Sequence, residues 1–140
     1  AAVHGVPTPP EGTIKGLLCK DSAANRVYLN EKRRSSDDKE AITKYKTIET
    51  KNDISLIMAE LITGRTHQIR AQLASINHPL LGDGKYAVNK KDRRQGFCHQ
   101  SLCAFRLKFL QAEADSLSYL DGKVFFSSAP DFLKLFKYRF

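Results

Sequence analysis

The run TGRTHQIR, residues 63–70, gathers two arginines, a histidine and a glutamine within one short segment. It begins where a nearly unbroken apolar stretch gives way to apolar residues at helical spacing, which predicts a strand-to-helix junction. Such a junction presents unpaired backbone N–H groups and the positive end of a helix dipole, a natural seat for phosphate or carboxylate. Arg65, His67 and Arg70 add side-chain donors. Arginine suits the task because its planar guanidinium grips an anion through two parallel hydrogen bonds and stays charged. On these residues alone two readings stand: an anion site at a helix N-terminus, or a helix that caps itself and pairs its arginines with nearby acids. A second cluster, Cys98, His99 and Cys103, raises the question of zinc. Structural zinc wants four ligands in short paired spacings and no second pair stands out, so free thiols are the expectation.

The elements that must position these residues are legible in outline. Residues 14–19 and 26–29 read as short strands separated by a turn at 21–25. Residues 31–40 carry both signs of charge around Ser35 and Ser36 and read as a solvated loop. Residues 41–49 rise in β-branched and aromatic content, and Lys51-Asn52-Asp53 looks like a hairpin turn. The apolar run over 54–62 predicts a central strand covered on both faces. A helix is then expected over 66–77, with Thr66 as N-cap, a buried stripe of Ile69, Leu73 and Ile76, and a stop at His78-Pro79. His67, Arg70 and Ala74 fall on a second face, where polar atoms need partners. Gly82-Asp83-Gly84 is a turn and residues 90–94 a basic cluster. Phe105, Leu107 and Phe109 alternate with Arg106 and Lys108 as a half-buried strand. Asp121-Gly122 turns into a strand at 124–126, and Phe132, Leu133, Leu135 and Phe136 suggest a short C-terminal amphipathic helix. The fold class is α+β: a mixed, mainly antiparallel sheet with one central helix and a short C-terminal helix, in a single region over residues 1–140.

Bulk properties narrow the function classes. With 41% hydrophobic and 27% charged residues among 140, the chain is globular in composition rather than disordered. No run reaches the ~18 apolar residues that span a membrane, and residues 1–10 do not resemble a signal peptide. A cytoplasmic protein without membrane contact is expected. Three cysteines without C-x-x-C spacing suit reduced thiols. The formal net charge of +8 favours a polyanionic partner, because phosphate backbones reward clustered Lys and Arg through counterion release.

The segment LITGRTHQIRAQLASINHPLLGDGKYA, residues 61–87, closely resembles the signature of the RluA family of RNA pseudouridine synthases, L-x-TGR-T/S-HQ-I/L-R followed by a short helix and HP-L-x-GD. Other stretches fall in family order: AAVHGVP at residues 1–7, a G-x-I segment at Gly12, and Ala41-x-Thr43-x-Tyr45. HQSLCAFRLKF at 99–109 resembles the family's H-A-x-x-L-x-F strand, departing from it at residues 100–103. Residues 126–132 are similar to its closing F-x-S/A-P-x-P-x-F stretch. The resemblance implies isomerisation of uridine to pseudouridine in RNA, ribosomal or transfer, with no cofactor and no metal. That chemistry flips the target nucleotide from its stack and sets a carboxylate beside the sugar. In the family this is the aspartate of an H-R-L-D-x-x-T-S-G motif, and none of the nine aspartates here follows His-Arg-Leu.

The family's base-stacking tyrosine aligns two positions before Ala1, while Tyr45 matches a structural strand position. The resemblance therefore implies the C-terminal part of a catalytic domain whose N-terminal part, with the catalytic aspartate and tyrosine, is missing. Arg70 matches the arginine that pairs with that aspartate. Ile69 matches an apolar wall of the base pocket, though plain core is equally open to it. Arg65, His67 and Gln68 are candidates for RNA contact or for holding the loop. Without its aspartate, Arg70 is expected to destabilise the chain unless water or another acid reaches it. A non-catalytic RNA-binding relative and a small zinc-stabilised module are the competing readings.

Overall fold

The computed structural model describes residues 1–110 and 115–138. Its centre is a five-stranded sheet of β1 (Ala2–His4), β2 (Glu11–Asp21), β3 (Arg26–Asn30), β4 (Lys39–Lys51) and β5 (Ile54–Leu61), in the order β1-β5-β4-β2-β3. Every described strand pair is antiparallel. The strands form where β-branched residues alternate with polar ones. The β4–β5 hairpin closes through Asn52 and Asp53, both at positive φ (50° and 59°), the backbone that a two-residue turn matching strand twist demands.

Successive side chains of a strand point to opposite faces, and this divides the core in two. On one face Val3, Ile14, Tyr45 and Ile57 pack with Leu73 and Leu80. On the other Ala2 and Leu56 pack with Leu81, Leu133 and Phe136. Residues 79–81 lie alongside β1: Val3 bridges Leu80, and the Leu81 amide donates to Ala2. The C-terminal segment is tied to β4, where the Glu49 carboxylate accepts the amides of Lys137 and Tyr138.

The structure differs from the sequence expectations in five places. The strand over 54–61 is covered on both faces only in its first half, where Leu56 and Ile57 pack into the two cores, and β1 pairs with residues 54–56 and no further. Beyond that Met58, Leu61 and Ile62 are about half exposed. The basic cluster at 90–94 is a short helix, α2 (Lys90–Arg94). The predicted C-terminal helix is a 3-10 turn, Asp131–Leu135, burying Leu133. The alternating segment around Leu107 forms only a three-residue strand, β6 (Arg106–Lys108), paired with β7 (Val124–Phe126), and all six of these residues are exposed.

The central helix, α1 (Gln68–Ser75), is shorter than expected. It begins after His67, which takes a left-handed conformation (φ 53°) and makes no side-chain cap, so Thr66 is not the N-cap. It ends on Asn77, also left-handed (φ 64°), with the His78 and Asn77 amides reaching back to Leu73 and Ala74, a Schellman ending. Its buried residues are Gln68, Ala71, Gln72 and Leu73, while Ile69 and Ile76 are half-buried against the first core. Among the described residues no helix is long and apolar enough to cross a membrane.

Candidate functional site around Arg70

α1 lies across the sheet with two glutamines inward, and these glutamines hold the preceding loop. The Gln68 side-chain oxygen accepts the Thr63 hydroxyl (2.9 Å) and the Arg65 amide (3.0 Å), while its nitrogen donates to the Ile42 carbonyl and the Thr43 hydroxyl. One turn later, Gln72 accepts the Thr43 hydroxyl at 2.6 Å and donates to the Ile14 and Ala41 carbonyls. A periodicity count assigns such residues to the surface. Here every polar atom of both amides finds a partner, which is the condition for burying them.

With the loop fixed, Arg70 emerges at the side of α1 and meets Asp83. Its Nε and Nη2 groups donate to the two carboxylate oxygens at 2.8 and 2.7 Å, a bidentate pair in which the Asp83 side chain is fully buried and that of Arg70 is 15% exposed. Asp83 also accepts the amides of Lys85 and Tyr86. Burial works to raise its pKa. The Arg70 hydrogen bond and charge, with those two amides, outweigh it and hold the carboxyl below its ordinary range. Arg70 is shifted upward by the same hydrogen bond. Another acid does reach Arg70, supplied thirteen residues downstream by the 82–84 turn, so the destabilisation expected of an unpartnered Arg70 does not arise.

Tyr86 forms the second part of the site. The Arg70 guanidinium lies 5.2 Å and that of Arg26 5.7 Å from its ring centroid, within cation–π range. Its hydroxyl accepts the Val27 amide (3.0 Å) and sits 3.2 Å from Nδ1 of His67. With the Val27 N–H donating, the Tyr86 O–H is free to donate to Nδ1 of a neutral His67. Burial, then the charges of Arg70 and Lys85, lower the His67 pKa in agreement, with Asp83 opposing.

The five expected site residues thus separate. His67 and Arg70 converge at Tyr86, Gln68 turns inward and Ile69 packs against the core. Arg65 is exposed, its Nε directed to the Glu40 carbonyl at 3.2 Å. A three-donor anion cradle at the start of α1 is not formed. Asp83, Tyr86 and Arg26 escaped sequence reasoning because nothing in their spacing links them to residue 70. Among the described residues no group of three or more His, Cys, Asp or Glu side chains is placed to hold a metal ion.

The fold that carries this site, an antiparallel sheet with one central helix, is represented among known proteins. The family model for RNA pseudouridylate synthases matches residues 1–75. An uncharacterized RNA pseudouridine synthase of Mycoplasma genitalium is 45% identical over 125 residues, covering 88% of this chain and 40% of the relative. Another, from Chlorobaculum parvum, is 40% identical over 86 residues, covering 61% and 26%. A third, from Bacillus subtilis, is 38% identical over 90 residues, covering 64% and 28%. The solved structure titled human RNA pseudouridylate synthase domain containing 1 superposes with a TM-score of 0.69 at 22% identity, over 94% of this chain and 52% of that one, a likeness of fold. That titled human RNA pseudouridylate synthase domain containing 4 matches 62% of this chain and 36% of its own, at 26% identity and a TM-score of 0.50. This chain belongs to the RNA pseudouridylate synthase family. It spans about a quarter to two-fifths of the length of the curated relatives it matches.

Proposed function

We propose that these residues form the C-terminal part of the catalytic domain of a cytoplasmic RNA pseudouridine synthase, which isomerises uridine to pseudouridine in structured ribosomal or transfer RNA. In that reaction the bond from N1 of the base to the sugar breaks, the base rotates, and C5 is joined to the sugar, C5 losing a proton and N1 gaining one. The observation that carries the reading is Arg70, inside the TGRTHQIR segment of a family member, held rigid by Asp83 with its remaining N–H groups facing away from that pair. A guanidinium so placed can stabilise a second carboxylate, the catalytic aspartate, which lies outside these 140 residues. Ile69 fits a pocket wall, and exposed Arg65 with His67 fits RNA contact. Gln68, buried and fully bonded, fits a positioning role rather than contact with substrate.

One observation favours a second reading. Arg70 is already satisfied by Asp83, so its site stands without a catalytic aspartate, as in a non-catalytic RNA-binding relative. Tritium release from RNA labelled at uridine C5 separates the two. The complete gene product is expected to release tritium and its Arg70→Ala variant to lose at least ~100-fold, on the scale of losing one preorganised electrostatic contact. The 140 residues alone are expected to release none. RNA binding by the complete product without any release would establish the second reading, and release by the 140 residues alone would overturn the assignment of the aspartate to sequence outside them.

A further inference from the structure

Resting on the RNA reading, we propose that the outer face of α2, formed by Lys90, Lys91, Arg93 and Arg94, contacts RNA phosphates in fixed register with the Arg70 site. All four cations are exposed, and among the described residues none is paired with a carboxylate. Lys15 and Lys46 elsewhere on the surface pair with Glu40 and Glu11, and what sets α2 apart is four such cations within five residues. The one acid in the KKDRR run does not neutralise its neighbours, because Asp92 is turned inward and 1% exposed. Its Oδ2 accepts the Gly82 amide at 2.7 Å and lies 2.9 Å from Nε2 of His4.

This arrangement leaves a cationic face with nothing beside it to offset the charge. A helix C-terminus is served by one or two cations, and four within five residues repel one another. A chain of phosphates relieves that repulsion and gains entropy by releasing its own counterions.

Position supports the same assignment. Asp92 bonds the amide of Gly82, and the next residue is Asp83, which holds Arg70. On the far side of the turn, a Cβ at Gly84 would meet Asn89 Nδ2 at 2.9 Å and Arg93 Nη2 at 4.0 Å. Patch and site are therefore separated only by the 82–84 turn. That turn cannot shift easily, since Gly82 has φ +76° and packs against the His99 carbonyl. RNA lying along α2 would be delivered to the Arg70 site at a set distance, with Asp92 as the positioning residue.

The test is affinity of the intact protein for a fluorescein-labelled RNA stem–loop, measured by anisotropy between about 50 and 200 mM salt, the range over which phosphate contacts are read. Replacing Lys90, Lys91, Arg93 and Arg94 by Gln should flatten the log–log slope by about 2.8 to 3.6, since each phosphate no longer neutralised removes about 0.7 to 0.9. A charge-matched control, Lys15, Lys20, Lys44 and Lys46→Gln, should flatten it by less than about 1 on the same scale. Asp92→Asn removes a negative charge yet should weaken binding, because the face loses its register. An unchanged slope in the α2 variant, an equal loss in the control, or tighter binding by Asp92→Asn would overturn the proposal. A wild-type slope near zero would overturn the RNA reading along with it.

Discussion

Arg70 and Asp83 matter to stability whether or not the chain turns over substrate. The pair is bidentate, its acid is fully buried and its base largely so, so removing one partner strands a charge in a mostly desolvated setting. Asp83→Asn keeps the shape and deletes the charge. It is expected to cost about 3–5 kcal/mol, read as a lowered urea midpoint at unchanged slope. The same carboxylate sets an acid limit. Its folded pKa lies below its unfolded value, so its stabilisation is complete above the ordinary carboxylate range and is lost as pH falls through the folded value. His67 acts at milder pH. Its folded pKa is also lowered, and since it is a base the unfolded chain takes up the proton first. Stability should therefore start to fall below the ordinary imidazole value near 6.5 and keep falling down to the folded pKa. Unfolding free energy followed from neutral pH downward checks this: in His67→Gln the decline below about 6.5 should shrink while that of Asp83 persists.

The 82–84 turn and the start of α1 show how backbone shape decides where these side chains go. Gly82 sits at φ +76°, and a Cβ there would lie 2.2 Å from the His99 carbonyl. Gly82→Ala combines left-handed strain of about 1–3 kcal/mol with a backbone clash that flexible side chains cannot absorb. It should lower the thermal midpoint steeply or prevent native folding. Gly64, in the same functional segment, has no positive φ, and a methyl group there would meet nothing within 4 Å. Gly64→Ala should be neutral, or stabilise by about 0.4–1 kcal/mol through the unfolded state. Equal losses in the two variants would show that segment flexibility, not Gly82 geometry, governs this region. Sequence pattern located both segments but misjudged α1. Its buried side carries Gln68 and Gln72, which count as surface in any hydrophobic periodicity, and partners such as the Ile14, Ala41 and Ile42 carbonyls make them core.

At the level of the complete chain, stability should be uneven. The five-stranded sheet is sandwiched between two cores, whereas β6 and β7 form a two-stranded ribbon with every residue exposed, held partly by the Phe105–Phe126 and Phe109–Phe125 ring contacts. Two-stranded ribbons are marginal without a covered face. Amide hydrogen exchange should therefore be fast in β6 and β7, through local opening, and approach the global limit in β4 and β5. Protection in the ribbon equal to that of β4 would overturn this. The main strand positions, the Asn52-Asp53 turn and the order of elements were legible because they follow from local alternation and turn chemistry. The exposed half of β5 and the helical character of α2 were not, since neither an absent neighbouring strand nor a buried Asp92 leaves a local trace.

By itself the amino-acid sequence determined the family, the mainly antiparallel α+β class and Arg70 as the residue to follow. These rest on a contiguous motif and short-range periodicity, which survive without knowledge of distant contacts. Only the tertiary structure decided what Arg70 touches, that Gln68 and Gln72 face inward, and that Asp92 leaves α2 with an unbroken cationic face. Each of those depends on pairing groups far apart in the chain, Gln72 with Ile14 or Asp92 with His4, and burial of a polar group is permitted only where such a partner happens to arrive.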